Sequence, residues 1–388
     1  MRALLTATML TTLVACGDTP ASEPGPGEEE TAAGGWQPLP ASPLSARTGA
    51  HAFWNGSSVL VIGGSDDDSC PPNADCVVAA PPLSDGAAYD PSTGTWSPLP
   101  DAPVPLGHLT GAVIGDTLYV WVSGIQGAAP AFLSLTAGDD AWLQLDPPPA
   151  AQDEQLSLVA AGDRLVAFHT SQELGVAPDL IFDPDPGVWS ELPLDPLTPA
   201  FDRSMVWIGD AMVLLGRAVV PNPGSERPSL VEAARFEVDT QRWDRFSDST
   251  IVGGSLGWSW TDGRLVNPEI GSSDGGEVNN WGRPYPHGGM LNPAKGEWTD
   301  LPPGPEAPGP YPGVSTAGPE WTVSAAGWAL HVPSGRWIEL PRPGAGAADF
   351  GQAITWAGDG MFMWGGARST DIATVLLDEG WTWIPPSE

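Results

Sequence analysis

In six places along this 388-residue chain an apolar side chain precedes a tryptophan by seven positions: Tyr89 and Trp96, Leu135 and Trp142, Phe182 and Trp189, Phe236 and Trp243, Leu291 and Trp298, Leu330 and Trp337. The residues between them are turn formers, as in YDPSTGTW, FDPDPGVW and LHVPSGRW. Proline fixes one backbone angle, Asp and Ser bond their own backbone, and Gly takes left-handed angles, so each segment doubles back as a β-hairpin. The apolar residue and the tryptophan then share one face of that hairpin. Several of the tryptophans run on through a polar residue to Leu-Pro, as in Trp96 to Pro100 and Trp298 to Pro302.

A second strand pair lies upstream of most of these hairpins. AFWNGSSVLVIGG (52 to 64), AVIGDTLYVWVSG (112 to 124), LVAAGDRLVAF (158 to 168), MVWIGDAMVLLG (205 to 216) and ITWAGDGMFMWGG (354 to 366) each set a Gly-Asp or Asn-Gly turn between two apolar runs. Such a turn is the strongest short-range hairpin signal. Each unit therefore supplies four strands. The chain's 48 Gly and 44 Pro suit many short strands and poorly suit helices. A four-stranded sheet cannot bury both faces alone, whereas radial stacking of similar sheets buries them in turn. The expected fold class is all-β, a β-propeller of about seven four-stranded blades over residues 35–388. Tryptophans at 36, 96, 142, 189, 243, 298, 337 and 381 or 383 recur every 39 to 60 residues. They read as wedges between blades rather than as platforms for sugars. Trp36 precedes any complete unit and reads as an outer strand that helps the last blade close the ring, a place for which the C-terminal WTWIPP competes.

The pattern resembles the kelch repeat of the galactose oxidase and kelch-like superfamily, in which a glycine pair ends the second strand, Tyr-Asp begins the third and Trp lies on the fourth. The match is close in the first unit, at Gly63, Gly64, Tyr89, Asp90 and Trp96, and in the last at Gly365 and Gly366. Ser123 and Gly124, and Gly216 and Arg217, stand in place of the pair in middle units. The fifth and sixth units are degenerate, which leaves six or eight blades as alternatives to seven.

Residues 1–15, MRALLTATMLTTLVA, carry one basic residue and then an apolar run too short to span a bilayer, the pattern of a signal peptide. Leu13, Val14, Ala15 and Cys16 resemble the lipobox of bacterial lipoproteins, which implies lipid on Cys16 and cleavage before it. Residues 16–34 then form an acidic, Pro- and Gly-rich tether, with a reach of about 20 to 25 Å for a flexible chain of that length. The expected location is the cell envelope outside the cytoplasm, with the membrane as a partner through the lipid on Cys16. Cys70 and Cys76 remain, an even pair in an exported protein, and read as a disulfide closing CPPNADC.

Net charge is −33, with a single lysine, Lys295. Such a field repels polyanions, so nucleic acid is not expected as a partner. A monomer is expected. In kelch-like propellers the loops after the second and fourth strands share one face. The longest such loops here are 65–86, with Asp66 to Asp68, 217–231 and 271–287. Arg47, His108, Glu154, Asp202, Arg203 and Asp349 fall near the starts of the innermost strands, around the channel entrance, where guanidinium, imidazole and carboxylate could grip an acidic sugar or a peptide carboxylate. The alternative is that they cap strand ends and pair with one another. No cofactor, metal or catalytic residue is assigned. A galactose-oxidase-like copper site needs clustered tyrosine and histidine, and the four tyrosines and five histidines show no such clustering in sequence. Ser272, Asp274 and Gly276 approach a sialidase Asp-box, but Trp281 falls two positions late. The functional expectation is an anchored module that presents its loops to a protein or glycan. The alternatives are a carbohydrate-active enzyme at the channel mouth and a structural envelope protein without a small ligand.

Overall fold

The computed structural model describes residues 34–67, 80–124, 129–149, 156–221, 229–252, 257–270, 288–344, 346–370 and 373–387. Cys16, Cys70, Cys76, Glu154, Asp68 and the 271–287 stretch lie outside these. Among the described residues there is no helix, and every long element is an antiparallel strand.

The first strand, β1 (Gly35–Pro38), precedes blade 1 in the chain. Blade 1 comprises β2 (His51–Trp54), β3 (Val59–Ile62), β4 (Gly86–Asp90) and β5 (Thr95–Pro98). Blade 2 comprises β6 (Leu109–Ile114), β7 (Thr117–Val122), β8 (Ala131–Thr136) and β9 (Leu143–Leu145). Blade 3 follows with β10 (Leu156–Ala161), β11 (Arg164–His169), β12 (Leu180–Asp183) and β13 (Val188–Glu191). Blade 4 is β14 (Ala200–Trp207), β15 (Met212–Ala218), β16 (Val231–Glu237) and β17 (Arg242–Arg245). Blade 5 is β18 (Ser259–Thr261), β19 (Arg264–Asn267), β20 (Gly289–Asn292) and β21 (Glu297–Asp300). Blade 6 is β22 (Thr316–Ala317), β23 (Trp321–Ser324), β24 (Trp328–His331) and β25 (Arg336–Glu339). Blade 7 takes β26 (Ala353–Ala357) and β27 (Gly360–Trp364), is interrupted by a small hairpin of β28 (Ala367–Ser369) and β29 (Thr374–Leu376), and resumes with β30 (Gly380–Ile384). That hairpin carried no repeat signature and was not foreseen from the sequence.

The chain is thus a seven-bladed β-propeller. Its first strands adjoin in a closed circle, from β2 through β6, β10, β14, β18 and β22 to β26 and back to β2. Closure resolves the competition between the two termini. Both are used: β30 is the third strand of blade 7, and β1 is its fourth, with Trp36 opposite Trp383. Trp381 and Trp383 are therefore third-strand residues, and Trp36 occupies the repeat position.

The seven-residue spacing is a cross-strand register. Tyr89 faces Trp96, Phe182 faces Trp189, Phe236 faces Trp243, Leu291 faces Trp298 and Leu330 faces Trp337. Each of the seven repeat tryptophans, six on fourth strands and Trp142 just before β9, is half-buried and reaches into the neighbouring blade. Trp189 of blade 3 packs 5.3 Å from Phe132 of blade 2, and Trp96 of blade 1 lies 6.1 Å from Phe362 of blade 7. Each indole also donates its Nε1 hydrogen to a carbonyl in the preceding blade's exit segment. Trp96 bonds Pro40, Trp142 bonds Pro100, Trp189 bonds Asp146 and Trp243 bonds Pro193. Trp298 bonds Ser247, Trp337 bonds Pro302 and Trp36 bonds Pro341, completing the circuit. In every case the acceptor lies four residues beyond the preceding tryptophan. The Trp-to-Leu-Pro run now has a reason: the leucine packs inward and the proline carbonyl receives the next indole.

The glycine pair also has a steric cause. Gly63 and Gly64 have φ of +67° and +88°, and Gly365 and Gly366 have +69° and +90°, in the left-handed region. A β-carbon on Gly63 would come within 2.1 Å of the Leu106 carbonyl oxygen. In blade 4, Gly216 keeps a negative φ inside β15, so Arg217 can follow it.

Candidate functional site

The arginines named from the sequence are internal struts. Arg47 is 1% exposed, and all five of its donor hydrogens are committed. Nε bonds the Ser45 carbonyl, Nη1 bonds the Gly63 carbonyl and Asp85, and Nη2 bonds Ser45 Oγ and Asp85, the two Asp85 bonds being 2.6 and 3.0 Å. Arg203, in β14, reaches back into blade 3. It bonds the His169 carbonyl, forks onto both oxygens of Asp179 and takes Asp195 at 3.1 Å. Burial drives both carboxyls upward. At Asp179 hydrogen bonds from His169 and Arg203, with the Arg203 charge, outweigh it and leave the pKa lowered. At Asp195 burial wins, and the pKa is raised despite Arg203.

Asp202 and Asp349 are paired as well. Asp202 sits at φ +50° in a bulge of β14 and meets Arg217 at 3.2 Å, while the Arg217 guanidinium stacks 4.8 Å over Phe201. Burial raises the Asp202 pKa, only partly offset by Arg217. Asp349 bonds Arg342 through one oxygen and accepts the Ser369 amide on the other. Asp66 and Asp67 accept hydrogen bonds from Ser45 and the Ala80 amide respectively. Each of Arg47, Asp202, Arg203 and Asp349 therefore has an oppositely charged partner among the described residues. Among the described residues no group of three or more His, Cys, Asp or Glu forms a metal-binding cluster.

His108 is placed differently. It lines a cleft of about 660 Å³ at the mouth, where blades 1, 2 and 3 meet. Gly49 and His51 come from the start of blade 1, Gly107 to Thr110 from the start of blade 2, Trp121, Ser123 and Gly124 from the end of β7, and Leu156 from the start of β10. This size is ordinary for a ligand site. The inner strands put these residues together because each begins at the same face, next to the end of a second strand.

His51 is held by its ring. Its nitrogen Nε2 lies 3.1 Å from the Gly107 carbonyl, which can only accept, so Nε2 carries the hydrogen and Nδ1 is the acceptor. Burial pushes the imidazole pKa below its ordinary value, the Gly107 bond opposes this, and nearby His108 lowers it further. Ser123 Oγ donates to the His108 carbonyl at 3.1 Å, and Thr110 Oγ1 accepts the Leu158 amide at 3.0 Å. Trp121 is 2% exposed, and its Nε1 has no acceptor among the described residues. Trp364 and Trp383, in the packed clusters of blade 7, share that deficit; Trp121 differs in lining a cleft.

Of the residues singled out from sequence, only His108 belongs to this cleft; His51, Thr110, Trp121 and Ser123 were not among them. Two signals pointed there. His51 opens an inner strand with an imidazole, and Trp121 is a tryptophan on a second strand, out of phase with the repeat. Two of the five histidines do meet here, through the tertiary fold, while no tyrosine lines the cleft. No protein-family model matches the chain, and no curated protein matches it.

Proposed function

We propose that this protein is an extracytoplasmic binding module, anchored through lipid on Cys16, that takes its ligand in the mouth cleft of blades 1 to 3. The observation that carries the reading is a division of labour at the mouth. The described charged residues there are neutralised in pairs, whereas the described residues that line the cleft are uncharged polar groups, apolar side chains and the imidazoles of His51 and His108. Paired charges rigidify a rim, and a cleft that sets polar groups beside apolar surface favours a ligand. An enzymatic reading needs a carboxyl or imidazole free to exchange a proton beside a second reacting group. Among the described residues, the carboxylates that would have served it face arginine partners of their own, namely Arg47 for Asp85, Arg217 for Asp202 and Arg342 for Asp349.

The test is capture by the full-length protein, held in a non-glycosidic detergent, of oligosaccharides on an array and of biotinylated envelope proteins. Ser123→Trp, which fills the cleft from its half-buried wall, serves as the control. Binding that the wild type shows and Ser123→Trp loses supports the reading. Binding that survives the blockade places the ligand elsewhere and overturns it.

A further inference from the structure

Four tryptophans stand outside the repeat position yet share one place in the fold. Trp54, Trp207, Trp260 and Trp356 lie at or next to the ends of the first strands of blades 1, 4, 5 and 7. Each is the innermost member of a cross-strand row that finishes on a repeat tryptophan. Trp54 leads through Val59 and Tyr89 to Trp96, and Trp207 through Met212 and Phe236 to Trp243. Trp260 leads through Leu265 and Leu291 to Trp298, and Trp356 through Met361 and Trp383 to Trp36. Directly paired residues share a sheet face, so these indoles lean toward the preceding blade as the repeat tryptophans do. The Trp207 ring lies 3.5 Å from where a β-carbon on Gly162 of blade 3 would stand, and a β-carbon on Gly318 of blade 6 would run into the Trp356 ring. Trp54 packs on the cluster shared by blades 1 and 7.

First strands begin at the mouth and end at the opposite face. Because they form the closed inner circle, the four indoles stand around the second opening of the channel. In a ring of seven, blades 7 and 1 lie across from blades 4 and 5, so the indoles make two facing pairs. Trp54, Trp207 and Trp356 are half-buried and Trp260 is 37% exposed, an aromatic surface left partly in water. The turns that follow the first strands all lie within the described residues, and in six blades they carry an exposed acid: Asp116, Asp163, Asp210, Asp262, Glu320 and Asp359. Arg164 and Arg264 stand in the same turns, and Asp210 meets Arg235 at 3.1 Å. Acids therefore outnumber bases in these turns, on a chain of net charge −33.

An indole face attracts a cation through its ring quadrupole, and surrounding carboxylates raise the local concentration of cations. A single small cation would use one indole and leave the facing pair idle. An extended chain with several positive side chains can reach both pairs and the acids around them. We propose that the channel opening opposite the mouth cleft is a second binding site, which takes an arginine- or lysine-rich segment of a partner protein. It works independently of the cleft.

Fluorescence anisotropy of a labelled octa-arginine peptide, titrated with the full-length protein in a non-ionic detergent at physiological salt, tests this beside a Gly-Ser peptide of equal length. Octa-arginine is expected to bind and the Gly-Ser peptide to stay free. Asp163→Asn, Asp262→Asn and Asp359→Asn combined should weaken binding about tenfold. The same change of charge on the mouth face, by Asp101→Asn, Asp146→Asn and Asp378→Asn, should leave it within about twofold. Trp260→Leu, at the most exposed of the four indoles, should weaken it about threefold with the melting temperature held. Ser123→Trp, which fills the mouth cleft, should leave it unchanged. Equal weakening by the two triple variants means attraction by net charge alone and overturns the site. Loss of binding in Ser123→Trp, or indifference to Trp260→Leu, overturns it as well. Octa-arginine that stays free, or a Gly-Ser peptide that binds as tightly, overturns the cationic assignment.

Discussion

Arg203 shows why a charged residue near a channel entrance need not serve a ligand. Its guanidinium is shared between Asp179 and Asp195 in a buried setting, and removing it strands two carboxyls out of water. Arg203→Ala is expected to destabilise the fold by about 3 to 5 kcal/mol in urea unfolding, the usual cost of breaking a buried pair, and Arg203→Lys to recover little because the fork is lost. Asp179, whose pKa is lowered, contributes stability above the ordinary carboxylate range that is lost as pH falls through its folded value. His51 works in the same direction by a different route. Its folded pKa lies below the ordinary 6.5, so the unfolded chain binds the proton first, and stability falls as pH drops from 6.5 through the folded value. His51→Gln should flatten that part of the wild-type stability profile, measured by chemical denaturation from pH 7.5 to 5. Gly63→Ala combines a left-handed backbone with a clash against Leu106 and should cost more than the 1 to 2 kcal/mol, roughly, of the backbone alone.

Between elements, the circuit of indole-to-carbonyl bonds joins the outer strand of each blade to the exit of the one before. Packing carries most of its value, because the indoles are half-buried and their bonds lie near solvent. Trp189→Ala forfeits contacts with Phe182 and Phe132 and should cost about 3 kcal/mol, the low end for a large-to-small change at a buried aromatic. Trp189→Phe keeps the stack and loses only the bond to Asp146, for about 1 kcal/mol by thermal or chemical unfolding. The spacing of seven was legible in sequence because a hairpin of fixed turn length forces a fixed pairing. The acceptor four residues past each tryptophan was not, since it belongs to the neighbouring blade.

For the whole molecule, the sequence reading that remains a proposal is anchorage. Cys16→Ser should move the protein from the membrane to the soluble fraction on cell fractionation; unchanged partitioning would refute lipidation. Thiol labelling of the unreduced, unfolded mature protein should find no free thiol if Cys70 and Cys76 are joined. The charge of −33 favours separate molecules, and sedimentation at physiological salt should report a monomer.

Local pattern was enough to determine the strand pairs, the four-stranded unit and the need for a ring, because hairpin turns and alternate burial are written in neighbouring residues. Closure was decided by tertiary structure: Trp36 and the C-terminal WTWIPP competed for one place in the sequence, and only the pairing of two termini far apart in the chain gave β30 the third position and β1 the fourth. The site was decided there too. Which arginines are struts and which imidazoles line a cleft depends on partners dozens of residues away, such as Asp85 for Arg47 and Gly107 for His51, and separation along a chain carries no record of such meetings.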